Sequence, residues 1–362
     1  MSQPTPSAWS PLRIASFRAL WLAAVASNVG TWMHNVGGEW LMTTLSPTPL
    51  VVALMQTAET APTFLMALPA GALADIVDRR RLLLAAQGWM LAAAVALAVC
   101  TILGVTTPAV LLLLTFALGL GAALNAPAWQ AIMPELVGRE ELPAAVSLNS
   151  VAFNIARALG PALGGLVVAA SGPWAVFLLN SVSFLGIIVV LYRWRREATE
   201  SISPTERLLG AMRAGLRYAR HAPELRNVLI RTGVFAACAS ALWAMLPLLA
   251  RRELGLGAVG YGLLLGGLGF GAIGGAFVLP LARRRLSLNQ TVVAGTVLFA
   301  SATAGLAFTR SYALLWLAMA AGGLAWMASV SSFNTSVQTV VPAWVRARAL
   351  ALYLLVFFGS LA

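Results

Sequence analysis

Eleven apolar runs, each about 20 residues long and parted by short polar turns, leave this chain of 362 residues almost no way to fold in water. They fall at 19–41, 50–73, 82–103, 109–131, 144–170 and 174–192, and then at 228–249, 260–281, 292–308, 313–333 and 345–362. A run of that length crosses the hydrocarbon core as a helix, and only a helix or a closed barrel satisfies its own backbone there. Hydrophobic residues make up 60% of the chain and charged residues 10%, so the expected class is an all-α polytopic membrane protein.

The net charge of +12 would suggest nucleic acid in a soluble chain. Here the basic residues, all of them arginine, are concentrated in the loops, and no basic stripe alternates with stacking aromatics. Nucleic acid is therefore not an expected partner. With the N-terminus inside, the inner loops hold Arg13, Arg18, Arg79, Arg80, Arg81, Arg139, the central segment, Arg283, Arg284, Arg285, Arg346 and Arg348. The outer loops hold Arg251, Arg252 and Arg310. This asymmetry places the N-terminus in the cytoplasm. No cleaved signal peptide is expected from the first 18 residues, and Cys100 and Cys238, isolated in separate runs, suggest neither a disulfide nor a metal site.

The central stretch 203–231 sets Leu208, Leu209, Met212, Leu216 and Tyr218 among Arg207, Arg213, Arg217 and Arg220. That pattern suits an amphipathic helix on an anionic leaflet, or a solvated linker with helical propensity. It divides the chain into an N-terminal six-helix bundle at 1–192, a basic linker at 193–226 and a C-terminal bundle at 227–362 that ends inside its fifth helix. An internal repeat supports the division: Asn125, Gln130 and Pro134 recur as Asn334, Gln338 and Pro342, 208–209 residues on.

Two strings carry a resemblance. Residues 71–83 read GALADIVDRRRLL and place Gly71, Asp75, Asp78, Arg79 and Arg80 in a turn between two spans. Residues 148–165 read LNSVAFNIARALGPALGG, with Gly160, Pro161, Gly164 and Gly165 in the fifth span. The first resembles the loop between helices two and three of the major facilitator superfamily, with Ile76 where a basic residue is usual and Asp78 where glycine is usual. The second resembles the helix-five element of its antiporters, with Ala156 in place of the leading glycine. Together they look like the branch that includes the enterobactin exporter and related secretion proteins.

The resemblance implies two six-helix bundles rocking about a midplane cavity. It also implies a latch in which Asp75, Arg79 and Arg80 hold the outward-facing state, Asp75 meeting the start of helix eleven near Val345. The bare residues allow a blander role, a positive-inside anchor with two incidental acids.

Further candidates come from polar residues inside spans. Arg157 lies well inside helix five, where a charge costs roughly 2.5–3.5 kcal/mol; it either binds an anionic substrate group or hydrogen-bonds backbone at the Pro161 bend. Asn154 shares its stripe. On helix one, Asn28, Trp32, Asn35 and Glu39 recur at helical spacing with His34 beside them, a candidate cavity surface. Glu59, near the middle of helix two, either exchanges protons with the outer face or is packed and permanently protonated, and Glu39 is either a second such group or a solvated residue. Helix four carries Thr115 where proton-coupled exporters of the family usually have arginine. Trp326, with Trp316, Met319 and Gly323, forms a stripe on helix ten that either holds apolar cargo or packs on neighbours.

The expected function is proton-coupled export of a bulky amphipathic small molecule, of drug or siderophore type, across the inner membrane of a bacterium. The expected partners are that substrate, protons and membrane lipid, the chain acting as a monomer without cofactor, metal or covalent catalysis. An uptake symporter of the same fold, and a membrane sensor or truncated product that transports nothing, are the alternatives.

Overall fold

The computed structural model describes residues 9–138, 140–194, 217–218, 220–342 and 345–362, apart from the side chains of Leu68, Ala72, Asp75 and Ala347. Among them no strand occurs. A short 3-10 turn (Ser10–Arg13) leads into α1 (Ala15–Leu45), α2 (Pro49–Ile76), α3 (Arg79–Ile102), α4 (Pro108–Leu136), α5 (Leu142–Ser171) and α6 (Pro173–Arg193). The second half comprises α7 (Pro223–Leu248), α8 (Ala258–Ala282), α9 (Leu288–Phe308), α10 (Tyr312–Val340) and α11 (Arg346–Leu361).

The breaks follow local chemistry. Proline opens α2, α4, α6 and α7, where its missing N–H removes no helical bond. Thr107 caps α4 through the Val110 N–H, and Ser287 with Gln290 closes a reciprocal capping box on α9. Gly172, at φ +92°, turns α5 into α6 through a conformation that other L-residues rarely adopt.

Nine of the described helices are long and apolar enough to cross a membrane. α1 is not among them, because Asn28, Thr31, His34, Asn35 and Glu39 lower its hydropathy, and α11 is a shorter apolar helix. Leu113, Phe277 and Phe308 are 68%, 76% and 89% exposed on the outside of the bundle, where lipid rather than water is their compatible solvent. The protein is a multi-pass membrane protein.

In the first half α1 packs on α5 and α6, α2 on α4, and α3 on α4 and α6. In the second, α8 and α9 pack on α10, and α7 on α11. The halves meet along α5 with α8 and along α2 with α7 and α11. α7 begins at Pro223, three residues before the linker boundary expected at 226, since proline supplies the helix start. The amphipathic segment expected within 203–231 lies, over 203–216, outside the described residues.

Each half has its own core. In the second, Phe235, Phe299, Trp326, Phe333 and Phe357 are buried together, with Trp243 packed against them at 4.5 Å from Trp326. The seams between helices are built on glycine. A Cβ at Gly271 or Gly323 would come within 1.8 Å of the backbone of α10 or α8, so these helices touch backbone to backbone.

Candidate functional site

Between the halves lies a cavity of about 140 Å3, lined by Trp32, Asn35, Val36 and Glu39 of α1, Gln56 and Glu59 of α2, Trp243 of α7 and Leu265 of α8. At 100° per residue, positions 32, 35, 36 and 39 occupy one side of α1, and 56 and 59 share one side of α2. Four helices therefore deliver two carboxylates, two amides and two indoles to one small space.

Asn35 Nδ2 donates to Glu59 Oε2 at 3.3 Å. The other oxygen of Glu59, Oε1, is buried without a hydrogen-bond partner. Glu39 is 7% exposed and accepts from the Tyr261 hydroxyl of α8. Tyr261 in turn stacks on Trp40 at 6.0 Å. Each bond replaces water that the carboxylate has lost, which is why neither acid stands alone in an apolar wall.

Beyond the cavity, towards the face away from the N-terminus, the halves are closed on one another. After Leu248 the chain makes one wide π-turn (Leu249–Glu253). It carries Arg251 over the Trp40 ring at 5.2 Å and to Thr43 Oγ1 at 3.0 Å. Arg252 donates to the Pro47 carbonyl at 2.6 Å. α5 and α8 close the same side: a Cβ at Gly165 would lie 2.5 Å from the Ala258 carbonyl, and one at Gly262 2.3 Å from that of Pro161. Glycine at these positions permits the approach.

Of the helix-one candidates, Trp32, Asn35 and Glu39 reach the cavity. Asn28 is half-buried on the same side of α1, nearer the N-terminal end. His34 departs from the expectation. It is 3% exposed and faces α6, its ring 4.6 Å from that of Phe177, because position 34 falls opposite positions 32, 35 and 39 on the helix. Both its ring nitrogens lack partners.

Trp326 also lies off the cavity, inside the aromatic core, where its ring meets that of the wall residue Trp243. Its stripe packs on α8: the Trp316 ring lies near Gly267, and Gly323 meets the Leu268 carbonyl. Asn154 donates to its own helix at the Ser150 carbonyl, 2.8 Å away.

In the helix-five string, Gly160 and Gly164 pack on Trp32 and Met33 of α1, and Gly165 on α8. Arg157 lies between these two sides. Its Nε and Nη2 are buried without a hydrogen-bond partner, so in this conformation it does not bond the backbone at the bend.

In the 71–83 turn, Asp78 accepts from the Arg81 N–H at 2.8 Å and caps α3. Arg79 pairs with Glu135 at 2.7 Å and donates to the Ala131 carbonyl of α4 at 3.1 Å. Arg80 donates to the Leu191 and Tyr192 carbonyls at the end of α6, both at 2.7 Å. Both arginines thus bind within the first half. A Cβ at Gly71 meets nothing. The Asp75 side chain, on which the expected contact with α11 depends, lies outside the described residues.

Gln56, Trp243, Tyr261, Leu265 and Glu135 were not singled out in the sequence. Gln56 had a signal, its spacing of three from Glu59. The others, in long apolar spans or beside a motif already noted, had none. Among the described residues no group of three or more His, Cys, Asp or Glu is placed to hold a metal ion.

The sequence profile of the transmembrane secretion effectors matches residues 6–362. The chain is 28% identical over 353 residues to the multidrug efflux pump Tap of Mycolicibacterium fortuitum, covering 94% of this chain and 84% of that protein. It is 23% identical over 281 residues to the staphyloferrin A transporter of Staphylococcus aureus, 77% of this chain and 70% of that one. It is 25% identical over 334 residues to the enterobactin exporter EntS of Salmonella typhimurium, 90% and 78% of the two chains. Among solved structures, the fold matches the nucleoside transporter NupG with a TM-score of 0.79 at 14% identity, over 96% of this chain and 88% of that one. A bacterial homologue of the lysosomal transporter Spinster, inward-facing and unoccupied, matches with a TM-score of 0.74 at 15% identity, over 97% and 80%.

Proposed function

Because this chain belongs to the transmembrane secretion effector family of major facilitator transporters, we propose that it exports a bulky amphipathic small molecule, of drug or siderophore type, from a bacterial cytoplasm in exchange for protons. It sits in the inner membrane with its N-terminus and arginine-rich loops in the cytoplasm, as positive charge in short loops favours. The conformation described is then closed to the outside.

One observation carries the reading: Glu59 and Glu39 of the first half share a cavity with Trp243 and Leu265 of the second, and Tyr261 of the second half donates to Glu39. A carboxyl group at the junction of two rocking halves changes its surroundings whenever they move, and so couples its proton to the motion. Glu59, with one unpartnered oxygen, is the group that loads and releases the proton. Glu39, held by Tyr261, ties that event to closure of the outer side.

The test is efflux of a fluorescent dye from loaded cells under an imposed inward proton gradient. Export that depends on the gradient and is lost in Glu59→Gln supports the reading. Glu39→Gln, which keeps an acceptor for Tyr261, slows export less. Proton-driven accumulation of the dye would reverse the direction, and no proton-linked flux at all would overturn the function.

A further inference from the structure

We infer that the transported substrate carries one positive charge, such as a protonated amine, and that this cation occupies Glu59 in place of a proton. The inference rests on the proton-exchange reading above and names the substrate class that it takes.

Four observations carry it. The cavity is acidic and aromatic, with Glu39 and Glu59 between the indoles of Trp32 and Trp243. Ring faces and carboxylates together favour organic cations. Glu59 Oε1 is buried in this wall without a partner, so the site offers an acceptor that no donor fills in this conformation. A cavity of about 140 Å3 holds a compact charged head roughly the size of a benzene ring, which fills a cavity near 150 Å3.

The fourth observation is charge balance. At 100° per residue Arg157 falls between the side of α5 that packs on α1, through Gly160 and Gly164, and the side that packs on α8, through Ala158 and Gly165. The Arg157 carbonyl meets Gly269, one turn along α8 from Leu265 in the cavity wall. The guanidinium atoms Nε and Nη2 have no hydrogen-bond partner. The membrane centre thus contains one fixed cation and two carboxyl groups.

Neutrality is reached with one carboxylate ionised against Arg157 and the other carrying either a proton or the substrate cation. Moving uncompensated charge through the membrane centre is costly, so the halves rock in those two loaded states. When the cation binds, the Glu59 proton is released to the side on which the cavity is then open. The exchange is one proton for one substrate charge. An anionic substrate at Arg157 would instead require both carboxyl groups protonated and would travel with protons.

The other charged or titratable groups on the elements around Glu59 do not alter this balance. His34 faces Phe177 on the α6 side of α1, and Tyr261 donates to Glu39. Glu135 of α4 pairs with Arg79 at the arginine-rich end, where Arg231 of α7 bonds Asn289. Tyr353 of α11 donates to the Val330 carbonyl.

The experiment is calorimetric binding to the purified full chain in a neutral detergent, using benzyltrimethylammonium and benzenesulfonate as matched probes of permanent charge. The cation is expected to bind, with affinity falling about tenfold per pH unit on the acid side, the slope of one-proton competition. Glu59→Gln should reduce its affinity at least tenfold and remove the pH dependence, whereas Arg157→Gln should retain it. Glu59→Asp, which preserves the charge, should retain pH-dependent binding and guards against loss through misfolding. Binding of the sulfonate that Arg157→Gln abolishes, or cation binding indifferent to pH, overturns the inference. No gradient is applied, so a chain that binds the cation in this way but exports nothing refutes the export reading alone. Proton-driven export of the sulfonate refutes the inference alone.

Discussion

The Tyr261 hydroxyl of α8 donates to Glu39 Oε2 of α1, and this bond between the halves sits at the end of the Glu59 cavity away from the N-terminus. It is backed by Trp40, which stacks on Tyr261 and lies under Arg251. Acid, phenol, indole and guanidinium form one continuous closure of that side.

Removing the phenol should open it. Tyr261→Phe leaves a buried carboxyl group without its donor, a loss of about 1–3 kcal/mol to the closed state. Spin labels at Leu50 and Phe308, both exposed and in different halves, should report a population at longer separation. An unchanged distance distribution would show that the bond is incidental to closure.

The glycine seams separate gating from folding. Gly262→Ala drives a Cβ to 2.3 Å from the Pro161 carbonyl across the halves. It should shift the same spin-label distances while leaving thermal unfolding nearly unchanged. Gly271→Ala, 1.8 Å from the Ala320 carbonyl within the second half, should instead lower expression and the unfolding temperature. Gly88, where a Cβ meets nothing within 4 Å, serves as the control, and Gly88→Ala should be neutral.

Asn35 and Glu59 should behave as a coupled pair. Asn35→Leu leaves Glu59 with neither oxygen hydrogen-bonded and should cost about 1–3 kcal/mol. In the double substitution with Glu59→Leu most of that cost should vanish. Equal, additive losses in a thermal double-mutant cycle would mean that the 3.3 Å contact carries no energy.

Arg80 should matter to stability within the first half. It bonds the last carbonyls of α6, where a cation also complements the helix dipole. Arg80→Ala should lower stability by about 1–2 kcal/mol with little change in the spin-label distances. A large shift in those distances would restore to Arg80 the latching role that the 71–83 string implied.

The proposed orientation is open to direct labelling. With Cys100 and Cys238 replaced by serine, a cysteine at Phe308 should react with an impermeant maleimide on intact cells. A cysteine at Leu286, on the arginine-rich side, should react only after permeabilisation.

The all-α membrane class, the run of long apolar helices and the polar residues lying within them were readable along the chain. Transfer free energy is a local, per-residue property, so a run of leucine, alanine and valine reports its own burial. The α1 stripe was readable for the same reason, since Trp32, Asn35 and Glu39 share a face by spacing alone. His34, on the opposite face, and Trp326, inside an aromatic core, show the limit: a polar or aromatic residue in a span does not disclose its neighbour.

The tertiary structure decided the partners. Glu39 and Tyr261 are 222 residues apart, and Arg79 found Glu135 of α4 within its own half. Between helices in a bilayer the hydrophobic effect provides little discrimination, because lipid and leucine are equally apolar. What selects one pairing is the close fit of glycine faces such as Gly165 on Ala258 and Gly262 on Pro161, together with hydrogen bonds that buried polar groups cannot do without. Both are properties of two surfaces meeting, and neither surface carries them alone.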